Sequence, residues 1–289
     1  MHGRHDLNAP KILVRSLAVA VPRGAGGELW QYHSRSDLHS KVACWGVLFD
    51  LMSTSGLLQQ HIADGKVAFG VNHTMADFVN NRMKKLDLVL ARPDRSQSPG
   101  RARTFADLAD EFKIQLETTE LAALAALPVA VEAPVGAVLM ALEAKACMTE
   151  HVKSLPRLYD ELNSSHQVVH AASNQALAVG FTMVNLATEF ASPDRNRGKS
   201  SATADVITKH RQPDVAIRAI ERIKQLPRRT STSAQGYDGL AIAVIEMENR
   251  GGSVELTTGP PAPPPGDIFH YDAMITRVAN EYDSAFRRL

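Results

Sequence analysis

A chain of 289 residues with 44% hydrophobic content is long enough to enclose a substantial core, which excludes disorder over its whole length. Its formal charge of +1 carries no global signature of nucleic-acid or membrane binding, so any such role must rest on local clusters of charge. The only cysteines, Cys44 and Cys147, have no metal-ligand spacing; this excludes a disulfide framework and a cysteine-rich zinc site and predicts two buried thiols in a reducing compartment.

No stretch approaches the roughly 20 apolar residues of a membrane span, and the opening MHGRHDLNAPK lacks the apolar centre of a signal peptide, so a cytoplasmic protein is expected. After a Gly-rich opening from Arg23 to Gly27, Ser36 and Asp37 form an N-cap signal for a first helix with the stripe Leu38, Val42, Trp45, Phe49 and Met52. A short helix from Ser55 through Leu58 and Ile62 is expected to stop at Gly65, whose lack of a Cβ suits a left-handed end. Two strands follow, Val67 to Phe78 and Met83 to Ala91, on either side of a turn at Val79-Asn80-Asn81-Arg82. The second contains Leu86-Asp87-Leu88-Val89-Leu90, a carboxylate within an apolar strand.

Arg92 to Arg103, rich in Pro, Ser and Arg, reads as a loop. Thr104 with Asp107 then opens an Ala/Leu-rich helix to about Leu127, read as an insertion. Val135 to Ala146 is expected to be a strand, followed by a helix with Leu155, Leu158, Tyr159 and Leu162 whose Pro156 belongs in a first turn. Ala176 to Ala187 is a further apolar strand, Pro213 to Leu226 a helix with Val215, Ile217, Ile220 and Ile223, and Gly239 to Met247 another strand. Pro260 to Pro265 is a rigid connector before a final helix, Tyr271 to Leu289. No internal repeat is visible. The whole reads as one α/β domain over 1–289, with a core at about 36–190, a helical insertion at about 100–130 and a C-terminal α/β extension at about 200–289.

Glu143 and Lys145 end an apolar strand, and at i and i+2 they project to the same side while Ala144 points away. Isolated charges are costly to bury, so such a pair is either solvated at a strand end or put to use. If the strand carrying Asp87 is a neighbour, two carboxylates and an ammonium converge at one sheet edge. With the backbone carbonyl of Ala144, the carboxylates of Asp87 and Glu143 make the hard oxygen site that Mg²⁺ prefers. The acid-x-Lys pattern occurs also at Asp64-Gly65-Lys66 and Glu111-Phe112-Lys113, but only Glu143-Ala144-Lys145 ends a predicted strand with an acidic strand upstream and a helix downstream.

These residues resemble the PD-(D/E)xK, or restriction-endonuclease-like, nuclease superfamily, over roughly Ser36 to Ala187 as an order of helix, three strands, helix and strand. Leu86 stands where the motif name has Pro. The resemblance implies a mixed central sheet flanked by helices, with Asp87 and Glu143 holding Mg²⁺, for which Mn²⁺ can substitute, and Lys145 orienting the attacking water. It further implies an additional acid from the first helix, for which Asp50 is the nearest equivalent, and a homodimer that cuts both strands of DNA.

Two other signals stand apart. His166 and His170, at i and i+4, have a spacing that can bind zinc on a helix, but no third ligand is near, and solvent-facing or helix-end histidines are the expected reading. The stretch holding Arg195, Arg197, Lys199, Lys209, Arg211, Arg218, Arg222, Lys224, Arg228 and Arg229 against Asp205, Asp214 and Glu221 is locally basic and is either a phosphate-binding surface or a solvated face, with Arg101 and Arg103 as candidates for a DNA-facing rim. The expected function is Mg²⁺-dependent DNA cleavage; the rivals are a non-catalytic nucleic-acid-binding or assembly module and a hydrolase or transferase of small phosphorylated metabolites.

Overall fold

In the computed structural model, which describes residues 7–23, 28–77, 82–97, 103–197, 205–231 and 233–289, the first helix is one the sequence pattern did not reveal. It is α1 (Ala9–Ala18), with Pro10 in its first turn and Ile12, Leu13 and Leu17 buried. A hairpin of β1 (Val21–Arg23) and β2 (Glu28–Trp30) leads to α2 (Leu38–Thr54) and α3 (Gly56–Ala63). Gly65, at φ 65°, ends α3 as expected. Then come β3 (Ala68–Asp77), β4 (Arg82–Pro93), α4 (Phe105–Glu111), α5 (Thr118–Ala126), β5 (Val135–Cys147), α6 (His151–Ala172) and β6 (Leu177–Asn185). The chain closes with β7 (Glu189–Ala191), α7 (Pro193–Asn196), β8 (Ile207–Lys209), α8 (Asp214–Lys224), β9 (Gly239–Glu246), β10 (Glu255–Thr257) and α9 (Tyr271–Ala285). Residues 24–27 and 79–81, where the Gly-rich opening and the hairpin turn were expected, lie outside the described residues.

The protein is α/β, built on a mixed six-stranded sheet in the order β10-β9-β6-β5-β4-β3. β4 runs antiparallel to both β3 and β5, β5, β6 and β9 form a parallel trio, and β10 closes the edge antiparallel to β9. Helices α1, α2 and α9 cover one face and α6 and α8 the other. On the first face Trp45 of α2 stacks between Phe49 and Phe105 and donates its indole N–H to the Phe105 carbonyl at 2.9 Å. The C-terminal region completes this sheet: β9 lies between β6 and β10, and α9 packs so closely that a Cβ on Gly239 would fall 2.4 Å from Val278 Cγ2. Among the described residues no single helix is long and apolar enough to cross a membrane.

Three local expectations are corrected. The Ala/Leu-rich segment after Thr104 is two helices, not one; the Thr104–Asp107 capping box forms, but Lys113 at φ 54° breaks the chain between buried Phe112 and Ile114. Pro156 sits within α6 and not in its first turn, because the helix begins at His151. In α8 the buried stripe is Ala216, Ala219, Ile220 and Ile223, leaving Ile217 exposed.

Candidate active site

The ladder between β4 and β5 runs from Pro93↔Val135 to Leu88↔Leu142 and ends there, one residue short of Asp87. On the other side of β4 the pairing passes from Val71↔Leu88 to His73↔Leu86, omitting Asp87 and its counterpart Asn72, which has φ 57°. Leu88 packs in the cluster under α2, but Leu86, two residues earlier, packs in the cluster under α6. In a regular strand these two would share a face, so the alternation slips at Asp87. The slip frees the carboxylate from the sheet. Asp87 Oδ2 accepts from the Ala144 backbone N–H at 2.9 Å, and Oδ1 accepts from Ser40 Oγ of α2 at 3.1 Å. Where the ladder opens, a side-chain carboxylate thus replaces a backbone acceptor.

On β5, Ala144 points into the cluster under α2, and Glu143 and Lys145 face α6. Lys145 Nζ lies 2.7 Å from Glu143 Oε1. Glu143 is only 3% exposed, and its Oε2 is buried with no hydrogen-bond partner. Such an oxygen is costly to leave unsatisfied. Burial, aided by the charge of Asp87, raises the Glu143 pKa; burial likewise raises that of Asp87, opposed by Lys145. Burial alone would lower the Lys145 pKa, but the charges of Glu143 and Asp87 outweigh it and raise it, so the ammonium keeps its proton. Both cysteines are free and buried as expected; burial pushes the Cys44 thiol, beneath this group, well up and that of Cys147 to about 11, so neither is a nucleophile.

Asp87, Ala144 and Lys145 floor an open cleft of about 410 Å³. Its walls carry Arg35, Asp37 and Ser40 from α2 and the segment before it, and Arg157 and Glu161 from α6. Glu161 Oε2 lies 3.8 Å from Lys145 Nζ, and its Oε1 accepts from Arg157 Nε at 2.6 Å. Sequence reasoning missed Ser40, Arg35 and Glu161. The i, i+4 spacing of Arg157 and Glu161 was a signal for their pairing with each other, but nothing local connects them to Lys145.

The structure does not bring Asp50 to this site. It lies ten residues beyond Ser40 on α2, about 15 Å at the helical rise. Its carboxylate accepts from the Asn8 and Ala9 backbone N–H groups and from Tyr271 Oη, fastening α1 and α9 to α2. Burial, partly offset by the Tyr271 hydrogen bond, raises its pKa from 3.8 to about 6. Because the folded state holds this proton more tightly than the unfolded one, its contribution to stability is complete below about pH 3.8 and is lost as the pH rises through about 6. Urea unfolding of wild type and Asp50→Asn between pH 4 and 7 should therefore show the wild type losing stability relative to the variant; parallel curves would contradict this.

The other candidates divide. Arg195 and Arg197 are exposed, and Asp194 beside them pairs with Arg35 of the cleft wall at 3.0 Å, which sets α7 at the cleft mouth. Arg103 is not a free rim cation: Glu132 binds it at 2.7 Å and Glu111 takes another of its nitrogens. Arg229 is not on the surface at all; it is 4% exposed and donates to Asp238, the Ala176 carbonyl and the Asn174 carbonyl. Arg228 is half-buried over the Phe269 ring. Arg101 and Lys199 lie outside the described residues. His166 and His170 are buried, not solvent-facing; they bond Asn163 and the Gly236 carbonyl, His170 within the last turn of α6. Among the described residues no three His, Cys, Asp or Glu side chains come together to hold a metal. A cation at the cleft would therefore depend on two carboxylates and backbone oxygen. Of the rival acid-x-Lys matches, Asp64 and Lys66 pair beyond the end of α3, and Glu111 is exposed and bound to Arg103.

No protein-family model, curated protein or solved structure matches the chain. Its class rests on its own architecture: an α/β protein with a mixed six-stranded sheet that carries an acid, acid and lysine group where two strands part.

Proposed function

We propose that the protein is a cytoplasmic, Mg²⁺-dependent deoxyribonuclease of the PD-(D/E)xK, restriction-endonuclease-like kind, working as a homodimer on duplex DNA. The observation that carries this reading is the meeting of Asp87 with the Glu143–Lys145 pair at the point where the β4–β5 ladder opens into a cleft. The donor set suits Mg²⁺, or Mn²⁺ in its place: Asp87, Glu143 and the Ala144 carbonyl are hard oxygens, and Glu143 Oε2 is buried without a partner. When bound, the ion supplies Lewis acidity at the scissile phosphate and a more acidic water. Lys145, a permanent ammonium on the cleft floor, offsets the charge that grows on the transferring phosphate. Ser40 holds Asp87 toward the cleft. Arg35, exposed at the wall and held by a surface ion pair, can exchange Asp194 for a phosphate of the backbone, and Arg157, which binds Glu161 through Nε, can offer its other nitrogens to another.

Supercoiled plasmid incubated with the protein should be nicked or linearised in Mg²⁺ and left intact in EDTA. The withdrawal of Arg103 and Arg229 from the basic surface favours, as a second reading, a hydrolase of small phosphoesters with the same carboxylates. Mg²⁺-dependent hydrolysis of bis-p-nitrophenyl phosphate with intact plasmid would select that reading; DNA binding without hydrolysis of either would select a non-catalytic module. On the nuclease reading, Arg35→Ala and Arg157→Ala should each weaken binding to all sequences alike and reduce the salt slope by about one unit per lost phosphate contact. A sequence-selective loss at unchanged slope would instead assign them to base reading.

A further inference from the structure

Lys145 stands between two carboxylates: its Nζ lies 2.7 Å from Glu143 Oε1, buried behind the cleft floor, and 3.8 Å from Glu161 Oε2 on the cleft wall. On the reading above, Glu143 must serve a divalent cation, yet the ammonium already holds it. Lysine and metal ion compete for the same charge. With Glu143 as its sole partner, Lys145 would either keep the cation out or be left unpaired beside it, and an unpaired, largely desolvated ammonium is strongly disfavoured. Glu161 removes this conflict, because it offers a second carboxylate only slightly farther away.

Its placement is not that of a loose surface side chain. Arg157 Nε donates to Glu161 Oε1 at 2.6 Å, so the carboxylate is oriented with its other oxygen toward Lys145. Lys84 of β4 reaches across to the same turn of α6, donating to the Glu161 backbone carbonyl at 2.9 Å and to Ser164 Oγ at 3.0 Å. This pins the turn that carries Glu161 against the sheet that carries Lys145. From surface to interior the charges alternate as Arg157, Glu161, Lys145 and Glu143.

We propose that Glu161 is a positioning residue that receives Lys145 when a divalent cation takes Glu143. The proposal rests on the metal-dependent reading and extends it. Occupation of Glu143 carries the ammonium outward, from the buried carboxylate to the cleft wall, where a phosphate entering the cleft would meet it. One event thereby readies both the metal ligand and the lysine.

The test is a double-mutant cycle of Glu161→Gln and Lys145→Met in the full chain, with Mn²⁺ affinity read by electron paramagnetic resonance. Glu161→Gln alone should weaken Mn²⁺ binding about ten-fold, whereas in the Lys145→Met background the same change should alter it by less than about two-fold, because no ammonium remains to be received. Equal weakening in both backgrounds would make Glu161 a bystander charge and overturn the proposal. Absence of Mn²⁺ binding in the wild type would overturn the metal reading itself, a separate outcome. If Lys145→Met does not fold, the ¹⁵Nζ resonance of Lys145 replaces the cycle. On Mg²⁺ addition it should shift and stay sharp in wild type but vanish by exchange with water in Glu161→Gln; identical behaviour in the two proteins would overturn the proposal.

Discussion

Glu143→Gln and Lys145→Ala are each expected to lower DNA cleavage by several orders of magnitude, while Glu111→Gln leaves it near wild type. The first removes a metal-binding charge and the second the cation on the cleft floor, so both act on stabilisation of the transition state. Glu111 belongs to an equally good acid-x-Lys match, but it is exposed on α4 and bound to Arg103. Melting curves separate chemistry from folding. Lys145→Ala strands a buried carboxylate, a change that typically costs about 3–5 kcal/mol unless the group protonates. Burial already raises the Glu143 pKa, so it should take up a proton and the variant should fold with a lowered melting temperature. Glu143→Gln relieves the repulsion between Glu143 and Asp87 and should melt above wild type in metal-free buffer, with Mg²⁺ raising the melting temperature of wild type alone. Should Mg²⁺ change neither wild-type melting nor DNA integrity, and Glu143→Gln melt like wild type, Glu143 and Lys145 are a strand-end ion pair and no more.

Arg229→Ala is expected to destabilise the fold by about 3–5 kcal/mol and to leave the salt slope of DNA binding unchanged. Its guanidinium donates to the Asn174 and Ala176 carbonyls in the turn after α6 and to Asp238 beside β9, and Asp238 in turn accepts from the Ala178 N–H at 2.8 Å. Truncation would leave the buried Asp238 carboxylate without its cation and take a donor from the buried Ala176 carbonyl, the arrangement in which breaking one partner is worst. Chemical denaturation measures the loss directly. A change below about 1 kcal/mol would mean that the pocket readily admits water; a flattened salt slope in the folded variant would return Arg229 to the nucleic-acid surface.

Arg229 also marks the boundary between what local pattern reveals and what it hides. Periodicity acts over a few residues, so the stripe of α2, the apolar runs of β3 to β6 and the stop at Gly65 were readable, and with them the α/β class. The contact between Glu143 and Lys145 was readable for the same reason, since a strand puts i and i+2 on one side whatever surrounds it. The short α1 was missed because its stripe is brief and its burial comes from α2.

Charged residues were another matter, because a charge is satisfied by whatever the fold brings to it. Glu132 neutralises Arg103, the turn after α6 swallows Arg229, and Asn8, Ala9 and Tyr271 occupy Asp50, each across a separation no local window spans. α2 is buried on every side from Val42 to Met52, so phase could not place Asp50; only packing decided how far along α2 the Asp87 carboxylate meets it, and there the partner is Ser40. The sequence by itself therefore determined the elements, their order and the side on which Glu143 and Lys145 project. The tertiary structure decided which charges remain at the cleft, because long-range hydrogen bonds compensate buried charge and leave no periodic trace in the chain.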